Sequence, residues 1–255
     1  MLRLSPERLY AGLLGQHAWL AFGTTGEPLP LTASVPAGAT PSELLEACLQ
    51  SAPPRRGTKK LSVILPSMSS RCVCLPWSAA IHGTEEKQAY AWAHLEQAGL
   101  NVDGTYVVHA EFRHYGATGL AYAFPKQLLD ELHAVAARHF LDLTTVLPIV
   151  GIAHLAAGRA SGAGGELSLV IEDNVITALR MDCTGLQRYD AEPTVGGQRA
   201  ALRRLLTRLA ADGTEIKKIK VCADLEDVEL DGIAGAFPPQ VSMQRLKSPQ
   251  WRRYI

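Results

Sequence analysis

The sequence lacks the features that define several specialised protein classes. Its 255 residues include 25 basic and 25 acidic side chains, so the formal net charge is zero. Proteins dedicated to nucleic acid or to anionic membranes accumulate Lys and Arg, so neither class is expected. The N-terminus has no apolar run typical of a signal peptide, and the longest apolar stretch, Val146–Ala157, is too short to span a bilayer. We therefore expect a soluble, cytoplasmic chain without direct membrane insertion.

Cysteine is scarce as well. The five cysteines are an odd number without zinc-type spacing, which argues against a disulfide framework or a zinc site. Cys72 and Cys74 share one face of a predicted strand, and neighbours along a strand are poorly placed for a disulfide. Because free cysteine is commonly buried, we expect five small buried residues: Cys48, Cys72, Cys74, Cys183 and Cys222.

The common catalytic and cofactor motifs are absent from the sequence. There is no Walker A loop, no G-x-G-x-x-G and no G-x-S-x-G. A ribonuclease-H-type nuclease needs a metal-binding carboxylate on its first strand, and the predicted strand Leu2–Leu4 has none. The ionisable patch His109–His114 has no second ligand cluster at a suitable spacing, so a hydrogen-bonded strand face is favoured over a metal site or general base. We expect no enzyme, and no catalytic, cofactor-binding or metal-binding residue.

The most informative stretch is residues 61–77, LSVILPSMSSRCVCLPW. The apolar run Leu61–Leu65 predicts a strand buried on both faces. A turn-rich segment separates it from a second predicted strand, Arg71–Leu75, which ends because Pro76 cannot donate to a sheet ladder. Trp77 is expected to pack at the exit of this strand, over the junction with the next helix.

A helix is predicted directly after this stretch. Thr84 is the expected N-cap, and Glu85 and Glu86 lie in the first turn, where the helix dipole favours negative charge. Gly99 is the expected C-terminal stop. The predicted apolar stripe of the helix has four residues: Ala91, Trp92, Leu95 and Ala98.

The order of strand, Arg, short strand, Leu-Pro-Trp, polar turn and helix resembles the cytoplasmic part of the type II secretion inner-membrane L component. That component is grouped with the type IV pilus assembly protein M, and the group has an actin-like ATPase fold of the ribonuclease-H-like type. The matching residues are Arg71, Leu75, Pro76, Trp77 and the Glu85-Glu86 helix start. The resemblance implies a structural role for the first four. It also implies docking to a secretion or pilus ATPase, or to the cytoplasmic tail of an inner-membrane protein, and so a place at the inner membrane through partners.

The predicted elements follow this fold in order. The first half predicts three strands, a helix and a strand: Leu2–Leu4, Arg8–Leu14, Ala18–Phe22, a helix from Pro41, and Leu61–Leu65. The second half predicts a hairpin, a helix and two strands: Glu166–Ile171, Val175–Met181, a helix from Gly196, Ile219–Ala223 and Val241–Leu246. The middle of the chain predicts two strands, a helix, a third strand and a second helix: Thr105–His114, Gly119–Phe124, a helix from Pro125, Leu141–Leu147, and a helix over Ile149–Ala157.

These patterns predict an α/β protein with mixed sheets and two lobes of related topology. The first lobe is predicted over residues 1–160, with an inserted αβ subdomain, and the second over residues 161–255. The Gly-rich stretch Gly158–Gly165 is the predicted boundary, with the composition of a flexible linker.

The resemblance implies a nucleotide held between two Asp-x-Gly hairpin tips, and both predicted tips depart from that pattern. Phosphate binding needs free backbone N–H groups and glycine for close approach. The first predicted tip, Ser5–Arg8, contains a proline and no glycine, and the second, Glu172–Asn174, carries two carboxylates. We therefore predict that the nucleotide site has been lost.

Four arginines are predicted to line the outer side of the leucine-rich helix: Arg199, Arg203, Arg204 and Arg208. Lysines at 217, 218 and 220 add positive charge nearby, and the acidic run Asp224–Asp231 offsets it. Aromatic residues that would stack on bases are nearly absent there. We interpret the helix as a solvated face or a protein-docking patch, in preference to a nucleic-acid groove.

Three hypotheses for function follow. The leading one is a non-catalytic cytoplasmic scaffold or adaptor that docks to components of a type II secretion or type IV pilus machine. The second is a nucleotide-binding actin-like ATPase with atypical phosphate loops. The third is a nucleic-acid-binding protein that uses the Arg199–Arg208 helix.

Overall fold

Thirteen strands and five α-helices make up the part of the chain that the computed structural model describes, which is residues 8–14, 17–23, 28–30, 36, 38–52, 60–157, 165–210, 216–223 and 241–246. The elements of the first half are β1 Arg8–Leu14, β2 His17–Phe22, β3 Leu29–Pro30, α1 Pro41–Ser51, β4 Lys60–Leu65, β5 Arg71–Leu75, α2 Thr84–Gln97, β6 Tyr106–Glu111, β7 Gly119–Pro125, α3 Lys126–Arg138, β8 Asp142–Pro148 and α4 Ile149–Ala156. Those of the second half are β9 Gly165–Ile171, β10 Val175–Asp182, β11 Gly185–Pro193, α5 Gln198–Ala210, β12 Ile216–Ala223 and β13 Ser242–Leu246.

Two five-stranded mixed sheets have the same arrangement of strands. The first has the order β3-β2-β1-β4-β8 and the second β11-β10-β9-β12-β13. In each, an antiparallel hairpin is joined by a parallel strand that follows a helix, β4 after α1 and β12 after α5, and a second parallel strand pairs with its far side. The parallel strand β4 is buried along Leu61–Leu65, which suits a strand covered on both faces. The predicted α/β fold with mixed sheets and two lobes of related topology is confirmed.

Two of the first three predicted strands are confirmed to within one residue, because β1 is Arg8–Leu14 and β2 is His17–Phe22. The hairpin that opens the first sheet runs from Arg8 to Phe22, and its third strand is the two-residue β3. The predicted strand Leu2–Leu4 lies outside the described residues. In the second sheet the sequence analysis missed β11, an edge strand whose residues are only partly buried, so that it carries no clear apolar alternation. The lobe limits at residues 160 and 161 stay a prediction, because residues 158–164 are not described.

A smaller antiparallel sheet is inserted between β4 and α3. Its order is β5-β7-β6, and α2 packs against one face. A separate apolar core lies under the helix and comprises Leu75, Ala91, Leu95, Val102, Val108, Ala121 and Ala123. The opposite face contributes Cys72, Leu120, Tyr122 and Phe124 to the main core of the protein. The inserted sheet is therefore sandwiched between α2 and the body of the chain.

The ends of α2 differ slightly from the prediction. The N-cap is Gly83, not Thr84, and the Glu86 carboxylate accepts hydrogen bonds from the backbone N–H groups of His82 and Gly83. Ala98 follows the helix and is exposed, so it is not part of the apolar stripe. Gly99 has φ 75° and Leu100 N–H donates to Leu95 O at 3.0 Å, which confirms the predicted glycine stop.

The five cysteines are free, and three of them are buried as predicted. Cys48, Cys72 and Cys222 are buried, and burial raises the pKa of each thiol to about 12. Cys74 is half-buried and burial likewise raises its pKa to about 12. Cys183 is exposed, so its predicted burial is wrong. It lies in the turn between β10 and β11.

Candidate functional site

The tip of the β9–β10 hairpin is a tight turn with two carboxylates. Glu172 N–H donates to Val175 O at 3.0 Å and closes the turn. Thr194, which follows β11, braces the outside of the turn, because its hydroxyl donates to Asp173 O at 2.6 Å and its N–H to Asn174 O at 3.0 Å. The hairpin predicted around Glu172–Asn174 is confirmed, and its backbone is fixed from two sides.

Glu172 points away from solvent and ties the two lobes together. Its side chain is buried, and Ser67 N–H donates to Oε1 at 3.0 Å and to Oε2 at 3.3 Å. Ser67 begins a single 3₁₀ turn directly after β4, so this contact joins the second sheet's hairpin to the end of a strand of the first sheet. Burial raises the pKa of the Glu172 carboxyl to about 7, although the hydrogen bond from Ser67 lowers it.

The surroundings of Glu172 are buried and partly polar. Cys72 and Tyr189 lie close by, and burial raises the pKa of the Tyr189 hydroxyl. The Cys72 thiol and the Ser70 hydroxyl are 3.3 Å apart. The exposed carboxylate of Asp173 adds negative potential at the same turn and also raises the pKa of Glu172. The turn therefore carries carboxylate groups, whereas a phosphate site requires hydrogen-bond donors.

These residues do not fit a nucleotide phosphate at this tip. In the actin-like fold the tip would supply free backbone N–H groups to an anion, with glycine to allow close approach. Here a carboxylate of the chain itself accepts the N–H of Ser67, and a second carboxylate is adjacent. A bound phosphate would place a second negative charge beside the Glu172 carboxylate, whose burial already costs free energy.

The first phosphate tip was predicted in the wrong place. Arg8 begins β1, so Ser5–Arg8 does not connect two strands of the described hairpin. By position in the sheet, the counterpart of the β9–β10 tip is the connection between β1 and β2, which is Gly15 and Gln16. Those two residues lie outside the described part of the chain. A missing glycine at the first tip is therefore no argument for the loss of the nucleotide site, because Gly15 is present there.

The four arginines of α5 divide into two kinds. Arg204 Nε lies 2.5 Å from Glu192 Oε1, and Arg208 Nη1 pairs with Oε2 of the same carboxylate. The two guanidinium groups hold the pKa of Glu192 below its ordinary value. Arg204 and Arg208 also donate to backbone carbonyls at the end of β11. Arg199 and Arg203 are exposed, and neither side chain pairs with a described residue.

The arginine helix is therefore only partly a free surface. Arg204 and Arg208 connect α5 to β11 through a Glu192 side chain that is 9% exposed. The sequence analysis missed this carboxylate because β11 was not predicted as a strand. Docking through the four arginines stays a prediction, and it now applies mainly to Arg199 and Arg203.

The family-motif residues lie along one edge of the inserted sheet. Arg71 begins β5 and is exposed, Leu75 ends β5 and is fully buried, and Pro76 follows it on the surface. Trp77 is half-buried, with ring centroids 5.3 Å from Phe112 and 4.8 Å from Tyr115. Both partners come from the loop between β6 and β7, so the described ring contacts of Trp77 are with this loop.

The predicted ionisable patch is divided by the end of β6. The strand stops at Glu111, which contradicts the prediction of a strand through His114. His109 stacks on Tyr122 at 5.5 Å, and burial lowers its pKa. Arg113 lies in the following loop, where Nη1 donates to His154 O at 3.5 Å. Within the described residues, no three His, Cys, Asp or Glu side chains are grouped as a metal site would need.

The sequence analysis also missed a buried ion pair in the second sheet. Lys220 Nζ lies 2.8 Å from Glu166 Oε1 and donates to Ala156 O, at the end of α4, at 3.1 Å. Both side chains are less than a tenth exposed. A Glu at the start of one predicted strand and a Lys within another were the available signals, but their pairing depends on the parallel register of β9 and β12. None of the described helices has the length and apolar character to cross a membrane.

No protein-family model matches the sequence, and no curated protein matches it. Solved structures do match. A protein with actin-like ATPase fold and unknown function from Bacteroides thetaiotaomicron has TM-score 0.62 at 9% identity, over 94% of this chain and 91% of that one. The cytoplasmic domain of EpsL, an inner-membrane component of the type II secretion system of Vibrio cholerae, has TM-score 0.56 at 13% identity, over 96% of this chain and 92% of that one.

A third similar structure is the PilM–PilN type IV pilus biogenesis complex. The match has TM-score 0.62 at 13% identity, over 96% of this chain and 89% of that chain. The structural resemblance predicted from residues 61–77 is thus confirmed. At these identities the likeness is one of fold, and it extends over nearly the whole length of each chain. The chain therefore has an actin-like ATPase fold, similar to those of the secretion protein EpsL and the PilM–PilN pilus complex.

Proposed function

We propose that this chain is a non-catalytic scaffold that docks protein components of an envelope assembly machine of the type II secretion or type IV pilus kind. The observation that carries the proposal is the buried Glu172 carboxylate at the second-lobe hairpin tip. Two of the similar folds belong to such machines, one as an inner-membrane component and one in a complex with a second protein. The contact between Glu172 and Ser67 joins the two lobes through groups of the chain itself, and such a fixed arrangement suits a docking role.

The proposed partners are a secretion or pilus ATPase, or the cytoplasmic tail of an inner-membrane protein. The proposed location is the cytoplasmic side of the inner membrane, reached through those partners. This location needs no membrane span in the chain itself.

The first test is whether the purified chain binds magnesium-ATP. A ligand that binds only the native state at a hundred times its dissociation constant adds about 2.7 kcal/mol of stability. For a chain of this size that would raise Tm by roughly 5–10 °C. We expect no shift with millimolar magnesium-ATP, no saturable heat in a calorimetric titration, and no release of phosphate.

The second test identifies the protein that the chain binds. The full-length tagged protein, purified from its native cells and analysed by mass spectrometry, should bring down an assembly ATPase or an inner-membrane protein. Glu172→Gly serves as a companion variant in the nucleotide test, because it removes the carboxylate and places a glycine at the tip. Binding of nucleotide by the native chain, with a clear rise in Tm and saturable heat, would overturn the scaffold proposal.

One observation supports the hypothesis of a nucleotide-binding ATPase. The connection between β1 and β2 contains Gly15, as a phosphate tip of this fold would require. The same nucleotide titration decides between the two proposals. Nucleic-acid binding has weaker support, because Arg204 and Arg208 are engaged by Glu192.

A further inference from the structure

The inserted sheet has an edge strand with an open side. β7 is the central strand, and β6 pairs with it over all six residues without a register shift. On its other side no described strand pairs with β6. Its sequence, YVVHAE, has no proline, glycine or lysine. Natural edge strands are usually protected by proline or lysine, by bulges or by a covering element. Tyr106 N–H donates to Asp103 O at 3.0 Å, and the other backbone groups on this side of β6 have no partner among the described residues, so they are available for pairing.

A groove runs beside this edge, between β6 and α2. Its volume is about 610 Å³. One wall is formed by Tyr106, Val107 and Val108 of β6. The other wall is a stripe along α2, made of Glu85, Gln88, Ala89, Trp92, Ala93 and Glu96, which follow one another at helical spacing. Ala89 and Ala93 lie on either side of Trp92 in this stripe, and their small side chains leave room beside the indole for the side chains of an added strand.

The walls of the groove carry negative charge. Glu85 and Glu96 lie at opposite ends of the α2 stripe, and none of the described residues that line the groove is basic. The nearby cation Lys87 faces Glu111 at the end of β6 and is not part of this lining. Trp92 Nε1 donates to Glu96 Oε1 at 3.0 Å, which fixes the orientation of the indole ring. An indole beside a carboxylate suits a Lys or Arg side chain, which can contact the ring face and pair with the acid.

We propose that β6 is a docking site at which an extended, basic segment of a partner protein adds as a fourth strand of the inserted sheet. Its main-chain groups would pair with the outer edge of β6, and alternate side chains would enter the groove against α2. The proposal rests on the proposed scaffold function and specifies the surface and the chemistry of its partner. Cytoplasmic segments next to membrane spans are rich in Lys and Arg, which is the charge that this groove selects.

The experiment titrates the full-length protein with a fluorescently labelled synthetic peptide that alternates lysine and valine. Three further peptides serve as comparisons: one alternates glutamate and valine, and two are the basic peptide N-methylated at every second residue, one at its lysines and one at its valines. Strand addition requires backbone donors on one edge of the peptide, so the two methylation phases should differ in affinity. We expect saturable binding of the basic peptide, no binding of the acidic one, and slower amide hydrogen exchange in β6 when the basic peptide is bound.

A pair of matched variants locates the site. Ala93→Arg places a large cation in the groove, whereas Ala134→Arg makes the same change at an exposed alanine of α3. Ala93→Arg should weaken binding by about tenfold or more, through occlusion and like charge, and Ala134→Arg should leave it unchanged. Equal affinity of the two variants would overturn the proposal, even if the native protein binds the peptide.

The remaining outcomes separate this proposal from the scaffold function. Failure of the basic peptide to bind at millimolar concentration would overturn the β6 site, and a partner captured in native cells would then dock elsewhere. Preference for the acidic peptide would also overturn it. Self-association of the protein that Ala93→Arg abolishes would show that a second copy pairs with this edge, which contradicts a heterologous partner.

Discussion

The two five-stranded sheets share one topology but differ in what their strands bury. In the described strands of the first sheet the only buried polar side chain is Ser62, whereas those of the second bury Glu166, Ser168, Thr177, Glu192 and Lys220. The charged groups of the second sheet each contact a neighbouring element. Lys220 reaches the end of α4, Glu192 reaches α5, and Glu172 at the hairpin tip reaches the first lobe.

This difference shows that strand order does not determine the chemistry of the interior. The first lobe is held mainly by apolar packing, which is non-directional and tolerates volume-conserving changes. The second lobe depends on paired charges whose removal one at a time leaves a buried group unpaired. Substitutions in the second lobe should therefore be more sensitive to which single partner is removed.

The largest effect is expected for Lys220→Met. This change leaves the Glu166 carboxylate buried without its close partner, which typically costs about 3–5 kcal/mol. The measurement is chemical denaturation of the purified protein at neutral pH. Lys218→Met is the control, because Lys218 Nζ is 3.9 Å from the same carboxylate and its side chain is 43% exposed, so little change is expected.

A double variant sharpens this prediction. Lys220→Met with Glu166→Leu removes both charges, and apolar replacement of a buried pair is often neutral. The double variant should thus recover much of the stability that the single variant loses. If Lys218→Met costs as much as Lys220→Met, the contrast between a buried and an exposed partner is wrong.

A smaller and pH-dependent effect is expected for Glu172→Gln. The pKa of Glu172 in the folded state is raised from about 4.5 to about 7, so its protonated form is favoured in the native protein. Its contribution to stability is fully present below the unfolded pKa and is lost as the pH rises toward 7. The shift corresponds to a difference of about 3 kcal/mol between acid and alkaline solution.

Glutamine keeps an acceptor for Ser67 N–H but does not titrate. The variant should be more stable than the native protein near pH 8, and this advantage should disappear near pH 4.5. The measurement is the free energy of unfolding of both proteins across this range. An advantage that is independent of pH would show that the carboxylate does not titrate as described.

The smallest effects concern the arginine pairs of the two lobes. Arg204→Ala removes a guanidinium from the shielded Glu192, whereas Arg138→Ala removes one from Glu46, whose side chain is 26% exposed and which His139 also contacts. Arg203→Ala changes an exposed residue and should shift stability by about 0.5 kcal/mol or less. Thermal melts should rank the losses as Arg204→Ala, then Arg138→Ala, then Arg203→Ala.

Acid should reduce these differences. Arg204 and Arg208 lower the pKa of Glu192, so their stabilising contribution is present above the ordinary carboxyl pKa and is lost as the pH falls through the lowered value. Arg204→Ala and the native protein should converge at low pH. Equal losses for Arg203→Ala and Arg204→Ala at neutral pH would place the whole arginine helix on a free surface.

Much of the fold could be predicted because its signals are local. The apolar run Leu61–Leu65 identified β4, and the glycine after α2 marked its end. The hairpin β9–β10 was found because two apolar strands flank a polar turn. β11 was missed because an edge strand is partly exposed and need not alternate. β1 and β2 were predicted to within one residue, whereas the phosphate tip was predicted before β1 because a further strand was expected at Leu2–Leu4.

The sequence by itself determined the class of fold, most of the order of its elements and the acidic character of the second hairpin tip. These follow from apolar periodicity and turn chemistry, which act between residues close in the chain. Only the tertiary structure decided that Glu172 is buried against Ser67, that Arg204 and Arg208 pair with Glu192, and that β6 lies beside an acidic groove with no described strand on its outer side. Those arrangements join residues far apart in the chain, and burial and pairing depend on strand register and on the layers packed above, which local pattern does not specify.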